Sequence, residues 1–285
     1  MTVGALELGG SHVSAARVDL STARLDRAVR MPLEPHAARS ALLAAIRDAA
    51  RSMPKGVLRI GVAAPGPFDY ENGVCTIQGV GKLEALFGVD LRSELSRVFP
   101  DAPPRAIHFL NDAEAFLLGE GWAGAARGHT RAIGITLGTG LGSAFLADGE
   151  IVREGLGVPP EGNLHRVSFR GRPVEDAISG RGIRSRVAET AGVQEIAERA
   201  DRGDPQAIGV LAAVGSDLGE FLTPWCAEFR ATVVVVGGSI ARAWDHFAEA
   251  LAQSLSVEAV VAERLDDAAL LGAALHASRD GNPSE

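Results

Sequence analysis

Cysteine is scarce in this chain: only Cys75 and Cys226 occur among 285 residues, far apart. Two such thiols form neither a disulfide framework nor a metal cluster by spacing, the pattern of a protein kept in a reducing compartment. Long apolar runs are missing too. No stretch approaches the ~20 residues that span a bilayer, and the opening MTVGALELGG lacks the basic leader and apolar segment of a secretory signal. No block of lysine and arginine stands out, and the net charge is −8, which disfavours sequence-independent nucleic-acid binding. A nucleotide is not excluded, because backbone N–H groups and Mg²⁺ handle phosphate charge locally. The expectation is a soluble, cytoplasmic protein with small-molecule partners, no nucleic acid and no membrane. What is present, 46% hydrophobic and 22% charged residues, suits a packed core in two modest domains or one large one.

The chain opens on two β-prone runs, 3–8 and 13–19, joined by Gly9-Gly10 as in a tight hairpin. Residues 37–53 place Leu42, Leu43, Ile46, Ala50 and Met53 on one helical face. Residues 57–63 form an apolar run ending at Pro65-Gly66-Pro67, a strand meeting a rigid turn. Another run, 106–110, stops at Asn111-Asp112, where a helix begins and reaches about Gly121. The second half repeats the order. Strand-like runs 132–137 and 144–147 flank Gly138-Thr139-Gly140-Leu141-Gly142, and helical segments extend from 174 to 229. The β-branched run 232–236 reads as a buried strand that leads through Gly237-Gly238 to a helix near Ile240. A last helix is expected over 266–276 and a frayed polar tail over 280–285. Each half thus opens on a glycine hairpin and continues in strands and helices, which predicts a two-lobed α/β fold with mixed sheets and an interlobe cleft.

Three clusters carry candidate chemistry. Glu7-Leu8-Gly9-Gly10-Ser11 lets backbone amides approach a phosphate, although Gly-Gly in a hairpin is commonly only a turn. Leu137-Gly138-Thr139-Gly140-Leu141-Gly142 holds the equivalent place in the second half. A dinucleotide fingerprint stands between a strand and a helix, with its last glycine one residue further on. Here a second strand follows instead, and no Walker A loop occurs. Two glycine hairpins in equivalent places point to a phosphate clamp. Asn111-Asp112-Ala113-Glu114-Ala115 reads either as a helix N-cap or as a carboxylate aimed at a substrate hydroxyl. Phosphoryl transfer passes through a loose transition state, so a low-pKa carboxylate can accept the proton late. Asn-Asp alone favours the cap, and one residue can cap while the other reacts.

Taken in order, Glu7-Leu8-Gly9-Gly10-Ser11, Ala64-Pro65-Gly66-Pro67, Asn111-Asp112-Ala113, Leu137-Gly138-Thr139-Gly140 and Val236-Gly237-Gly238 resemble the ROK family of sugar kinases and repressors, within the actin/hexokinase/Hsp70 ATPase superfamily. The resemblance runs from about residue 2 to Ala268-Ala269-Leu270-Leu271-Gly272-Ala273-Ala274 and is nearest to bacterial glucokinase-like members. It implies an actin-like (ribonuclease H-like) fold, with lobes at 1–112 plus 266–285 and at 113–265. Gly9, Gly10 and Ser11 match the first phosphate loop and Gly138, Thr139 and Gly140 the second, while Gly237 and Gly238 match the glycines beside adenosine. Asn111 matches the sugar-binding amide, Asp112 the catalytic base, Gly66 the turn closing the sugar pocket, and Glu175 the acidic sugar ligand before a Ser-Gly turn.

The chain also departs from the family. Glu7 replaces the usual Asp near the Mg²⁺ carried by ATP, which keeps the charge and adds a methylene. His12 stands where Lys or Asn is typical and is assigned no role. Many relatives carry Glu-x-Gly-His and then a cysteine-rich zinc loop. Here Glu161 falls where the Glu belongs, His165 comes one position late, and the segment up to Glu175 has Arg166, Arg170 and Arg172 but no cysteine. Structural zinc needs about four N or S ligands, so no zinc is expected. Glu161 and His165 are expected to reach the sugar, with Asn163 as a substitute for either.

The resemblance therefore implies an ATP- and Mg²⁺-dependent carbohydrate kinase in which Asp112 activates a hydroxyl of a hexose or hexose derivative, with lobe closure excluding water. Two alternatives stand beside it: a non-catalytic sugar and nucleotide sensor, and a polyphosphate-dependent kinase. A homodimer is carried over from relatives by analogy.

Overall fold

The computed structural model describes residues 1–100, 104–187 and 192–279, so the tail expected to fray at 280–285 lies outside the described residues. In chain order the first elements are β1 (Thr2–Leu8), β2 (His12–Asp19), β3 (Arg24–Pro32), α1 (Arg39–Ser52), β4 (Ile60–Ala64), β5 (Phe68–Asp69), β6 (Val74–Cys75), α2 (Leu91–Ser96), β7 (Ile107–Asn111) and α3 (Asp112–Ala123). Then come β8 (Arg131–Leu137), β9 (Leu141–Ala147), β10 (Glu150–Ile151), β11 (Ser168–Phe169), β12 (Arg172–Pro173), α4 (Glu175–Ile178), α5 (Gly180–Arg184), α6 (Val193–Asp201) and α7 (Pro205–Phe229). The chain finishes with β13 (Val233–Gly237), α8 (Ala248–Ser254), β14 (Glu258–Val261) and α9 (Ala268–Arg279). It divides into two units, Met1–Gly119 with Asp266–Glu285, and Glu120–Leu265.

The first unit is built on a sheet of order β3-β2-β1-β4-β7. Its first three strands are antiparallel and its last two pairings parallel. Val3, Ala5, Leu6, Val13, Ala15, Ala16 and Val18 are fully buried on these strands, so the hairpin is core and not a surface turn. The edge strand β3 was not expected from sequence. Its Arg24, Asp26, Arg27 and Arg30 mask the strand signal, and such charges are what protect an exposed edge from further pairing. Helix α1 buries Leu42, Ile46, Ala49 and Ala50, while Leu43 is only half-buried. Helix α9 lies on β1, β4 and β7. The approach is so close that a Cβ at Gly61 or Gly272 would collide with the carbonyls of Ala273 and Ala115 respectively.

The second unit repeats the plan with a sheet of order β10-β9-β8-β13-β14, again antiparallel on one side and parallel on the other. Val233, Val234, Val235 and Val236 are fully inaccessible, each worth about 1.5–3 kcal/mol of transfer free energy. The helical segments expected from 174 to 229 are α4 to α7. Ser179 restarts the helix at α5 by accepting from the Arg181 N–H, and Asp204 caps α7 ahead of Pro205. The helix expected near Ile240 is a 3₁₀ turn over Ser239–His246 followed by α8. Glu120 is fully buried, and its carboxylate accepts N–H groups from Ala125, Glu263 and Arg264. Both cysteines are free and buried, and burial pushes the Cys226 thiol up to about 12.

Candidate active site

In the first unit the register of the parallel strands sets Glu7 beside Ala63, and Ala63 beside Leu110. The segments leaving the C-terminal ends of β1, β4 and β7 are Gly9–Ser11, Pro65-Gly66 and Asn111-Asp112. They emerge along one sheet edge, where open α/β sheets bind their ligands. Both readings of the Asn-Asp pair hold locally. Asn111 Oδ1 accepts from the Ala113 and Glu114 N–H groups at 3.0 and 3.4 Å, which is the cap. Its Nδ2 is left to donate to the Tyr70 hydroxyl at 3.1 Å, and that hydroxyl donates to the Ala64 carbonyl at 3.2 Å. A Cβ at Gly66 would stand 3.4 Å from the Tyr70 hydroxyl and 3.9 Å from Asn111 Nδ2, so Gly66 lies over this pair.

Asp112 begins α3 with its carboxylate accepting from the Ala113 N–H at 2.9 Å. Burial pushes its carboxyl above the ordinary range, with the Lys82 ammonium and the Ala113 amide pulling it down and Glu7 pushing it further up. The His12 ring lies across Gly9, where a Cβ would collide with it. Its Nε2 is 3.8 Å from Glu7 Oε2, and Arg30 reaches its Nδ1 at 3.2 Å. At Gly10 a Cβ would meet nothing nearer than Lys82, 3.5 Å from Nζ. The turn at Gly10-Ser11, half-buried at Gly10 and exposed at Ser11, therefore keeps an open backbone face, as a phosphate oxygen requires.

In the second unit the hairpin is open at Gly138, where the nearest atom to a Cβ is Ser239 Oγ at 3.7 Å, but closed at Gly140, where a Cβ would collide with Glu175 Oε1. Gly238, at φ +84° with Leu137 packed against it, can only be glycine. Glu175 Oε1 accepts from the Leu141 N–H at 2.8 Å, so this carboxylate is tied to the second glycine hairpin, and its Oε2 lies 3.9 Å from the Arg181 guanidinium. The buried Ser143 of β9 donates to the Gly162 carbonyl and accepts from the Leu164 N–H at 2.9 Å, pinning the turn that carries Glu161 and His165. Glu161 faces its own neighbours, Asn163 Nδ2 at 3.1 Å and Arg166 at 3.0 Å. Burial holds the His165 imidazole below its ordinary range, with Glu175 opposing and Arg166 adding to the depression.

The segment after His165 is the short hairpin β11–β12, with Arg170 at its tip. Arg170 pairs with Asp217 and Glu220 of α7 and stacks over Phe169, which packs edge-on against Phe221. Arg186 also pairs with Asp217. Among the described residues no three His, Cys, Asp or Glu side chains group as metal ligands. Tyr70, Lys82 and Ser143 were not singled out from sequence. Tyr70 carries one signal, as the chain's single tyrosine; the others look like loop and strand residues until the chain is folded.

The ROK family model matches residues 3–280. The chain belongs to the ROK family. One ROK relative, the glucokinase of Thermotoga maritima, is 29% identical over 75% of this chain and 77% of its own length. An N-acetyl-D-glucosamine kinase of Salmonella heidelberg is 31% identical over 50% of this chain and 46% of its own. A ROK family glucokinase from Streptomyces griseus, solved in complex with glucose and AMPPNP, superposes with a TM-score of 0.78 at 21% identity, covering 98% of this chain and 100% of that one. The two repeated mixed sheets are the ROK version of the actin-like ATPase fold. No helix among the described residues is long and apolar enough to cross a membrane.

Proposed function

We propose that this chain moves the γ-phosphoryl group of ATP onto a hydroxyl of a hexose or hexose derivative, with Asp112 as the general base. At the coarser level it is a carbohydrate kinase, the class to which its glucokinase and N-acetyl-D-glucosamine kinase relatives belong. The observation that carries the finer reading is the division of labour at Asn111-Asp112. Asn111 takes the cap, and Asp112 is left desolvated near Glu7, Lys82 and the open Gly10 turn.

In this reading the first unit binds sugar through Asn111, Asp112 and the Gly66 turn, and phosphate through Gly9, Gly10 and Ser11. The second carries Glu161, His165 and Glu175 for the sugar, Gly138, Thr139 and Gly140 for phosphate, and Gly237 and Gly238 for adenosine. Glu7 is the residue that would hold Mg²⁺ carried on ATP, which would supply charge neutralisation to the transferring phosphoryl group. Asp112 receives the hydroxyl proton as the sugar oxygen bonds to phosphorus and ADP leaves. A homodimer belongs to the same reading by analogy, and light scattering decides it.

The test is ADP release from Mg-ATP over hexoses, amino sugars and N-acetylhexosamines. Turnover of one sugar class is expected. Silence across the panel, with ATP and sugar still raising the melting temperature, would overturn the kinase reading in favour of a sensor.

Two finer outcomes follow from the geometry. Tyr70→Phe removes the acceptor that aims Asn111 Nδ2, a loss of about 1 kcal/mol. Sugar KM is then expected to rise roughly fivefold with kcat little changed; an unaltered KM counts against Asn111 as a sugar ligand. His165, held below its ordinary 6.5, stays neutral through pH 7. Sugar KM should be flat near neutrality and rise only as pH falls below 6.5 and His165 protonates. His165→Asn should abolish that rise, and its persistence would remove His165 from the sugar site.

A further inference from the structure

Lysine is almost unused here: of 28 basic side chains only Lys55 and Lys82 are lysines. Lys55 is exposed in the turn beyond α1. Lys82 is half-buried and lies over the first glycine hairpin, with Nζ 3.5 Å and Cδ 3.6 Å from the Cβ position of Gly10. Its backbone is pinned on both sides. The Gly81 N–H donates to Glu84 Oε1 at 2.8 Å. Leu83, buried and held at φ +57°, donates its N–H to the Pro35 carbonyl at 2.8 Å. Arg39 ties down the next turn through the carbonyls of Ala85 and Phe87 at 2.7 and 3.1 Å. Among the described residues no carboxylate forms an ion pair with Lys82. A left-handed leucine is costly, and here it aims a cation without an ion pair among the described residues at a turn whose amides are open.

Building on the kinase reading, we propose that Lys82 is a catalytic residue whose ammonium contacts the γ-phosphoryl group of ATP at the Gly10 turn and stabilises it during transfer. In that step the bond from the sugar oxygen to phosphorus forms as the bond from phosphorus to the β,γ-bridging oxygen breaks. The hydroxyl proton goes to Asp112, the electron pair of the broken bond leaves with ADP, and Lys82 keeps its proton. An ammonium suits this task because charge spreads over the three equatorial oxygens, and a compact cation with three donors can follow them. The same charge acts on Asp112, lowering a carboxyl that burial and Glu7 raise.

The direct test uses an acyl-phosphate derivative of ATP, which acylates amines beside the terminal phosphate, on the intact chain with peptide mass spectrometry. Lys82 should be labelled and protected by excess ATP, while Lys55 is not protected. Absence of ATP-protected labelling at Lys82 overturns the proposal, whether or not a sugar substrate is known. With a sugar in hand, Lys82→Met should lower kcat about 10²–10³-fold, the range for losing one preorganised charge-stabilising donor. Lys82→Arg should recover part of it, and Lys55→Arg should match the wild type. The acid limb of kcat/KM should move to higher pH in Lys82→Met, because losing the cation raises Asp112. Wild-type kcat in Lys82→Met overturns the proposal alone, whereas a wild-type chain inactive on every sugar overturns the kinase reading and leaves the labelling to decide Lys82.

Discussion

Asp112→Asn is expected to lower kcat by about 10²–10⁴-fold, the usual range for a general base, without destabilising the fold. Asn keeps the shape and the acceptor for the Ala113 N–H, so the start of α3 is preserved. What it removes is a negative charge that the folded protein disfavours. Burial raises the Asp112 carboxyl above its ordinary 3.8, so between 3.8 and the raised value the folded state binds more protons than the unfolded one. Stability contributed by Asp112 therefore falls as pH rises through that window, and once ionised the group is a burden. The variant should melt at or above the wild-type temperature at pH 7, with the difference vanishing below pH 3.8. The same shift places the wild-type acid limb of kcat/KM above the ordinary aspartate range. Near wild-type kcat in the variant would remove Asp112 as the base, and a large fall in melting temperature would make it a structural residue.

Glu120→Ala is expected to cost about 3–5 kcal/mol, the scale for breaking a buried, fully bonded charge site. The carboxylate serves three part-buried amides at once: Oε1 takes the Arg264 N–H at 2.7 Å, and Oε2 takes Ala125 and Glu263 at 2.7 and 3.2 Å. Burial pushes its carboxyl up, against the pull of those amides. Alanine leaves each amide without a partner, at about 1–3 kcal/mol apiece before relaxation. Glutamine is not a remedy, because its NH₂ group must face one of the N–H donors. The site ties residues on the unit-2 side of both chain crossings, Gly119/Glu120 and Leu265/Asp266. Urea unfolding should show the loss as a lower midpoint, and a change under about 0.5 kcal/mol would mean that water replaces the carboxylate.

Much of the architecture was legible because it rests on local chemistry. Buried β-branched runs such as Val233–Val236 can be little but strand, and Asn111 beside Asp112 ends one element and caps the next. Glycine hairpins in both halves betray the repeated sheet plan, and their order carried the ROK resemblance that the family match bears out. Where local signals mislead, packing decides. The charged β3 pairs only because β2 offers an open edge. The first helical segment after 174 is cut at Ser179, and Gly180 donates its N–H to the Gly138 carbonyl, a partner over 40 positions back.

The sequence by itself determined most of the elements, the two mixed sheets and the residue types proposed for phosphoryl transfer, since periodicity, β-branching and glycine turns act within a few residues. Only the tertiary structure decided which groups share a field. Lys82 comes over Gly10 from more than 70 positions away, and Tyr70 aims Asn111 across 41. Glu175 binds the hairpin at Leu141. Contacts of that span depend on chain closure and burial, which no local pattern encodes.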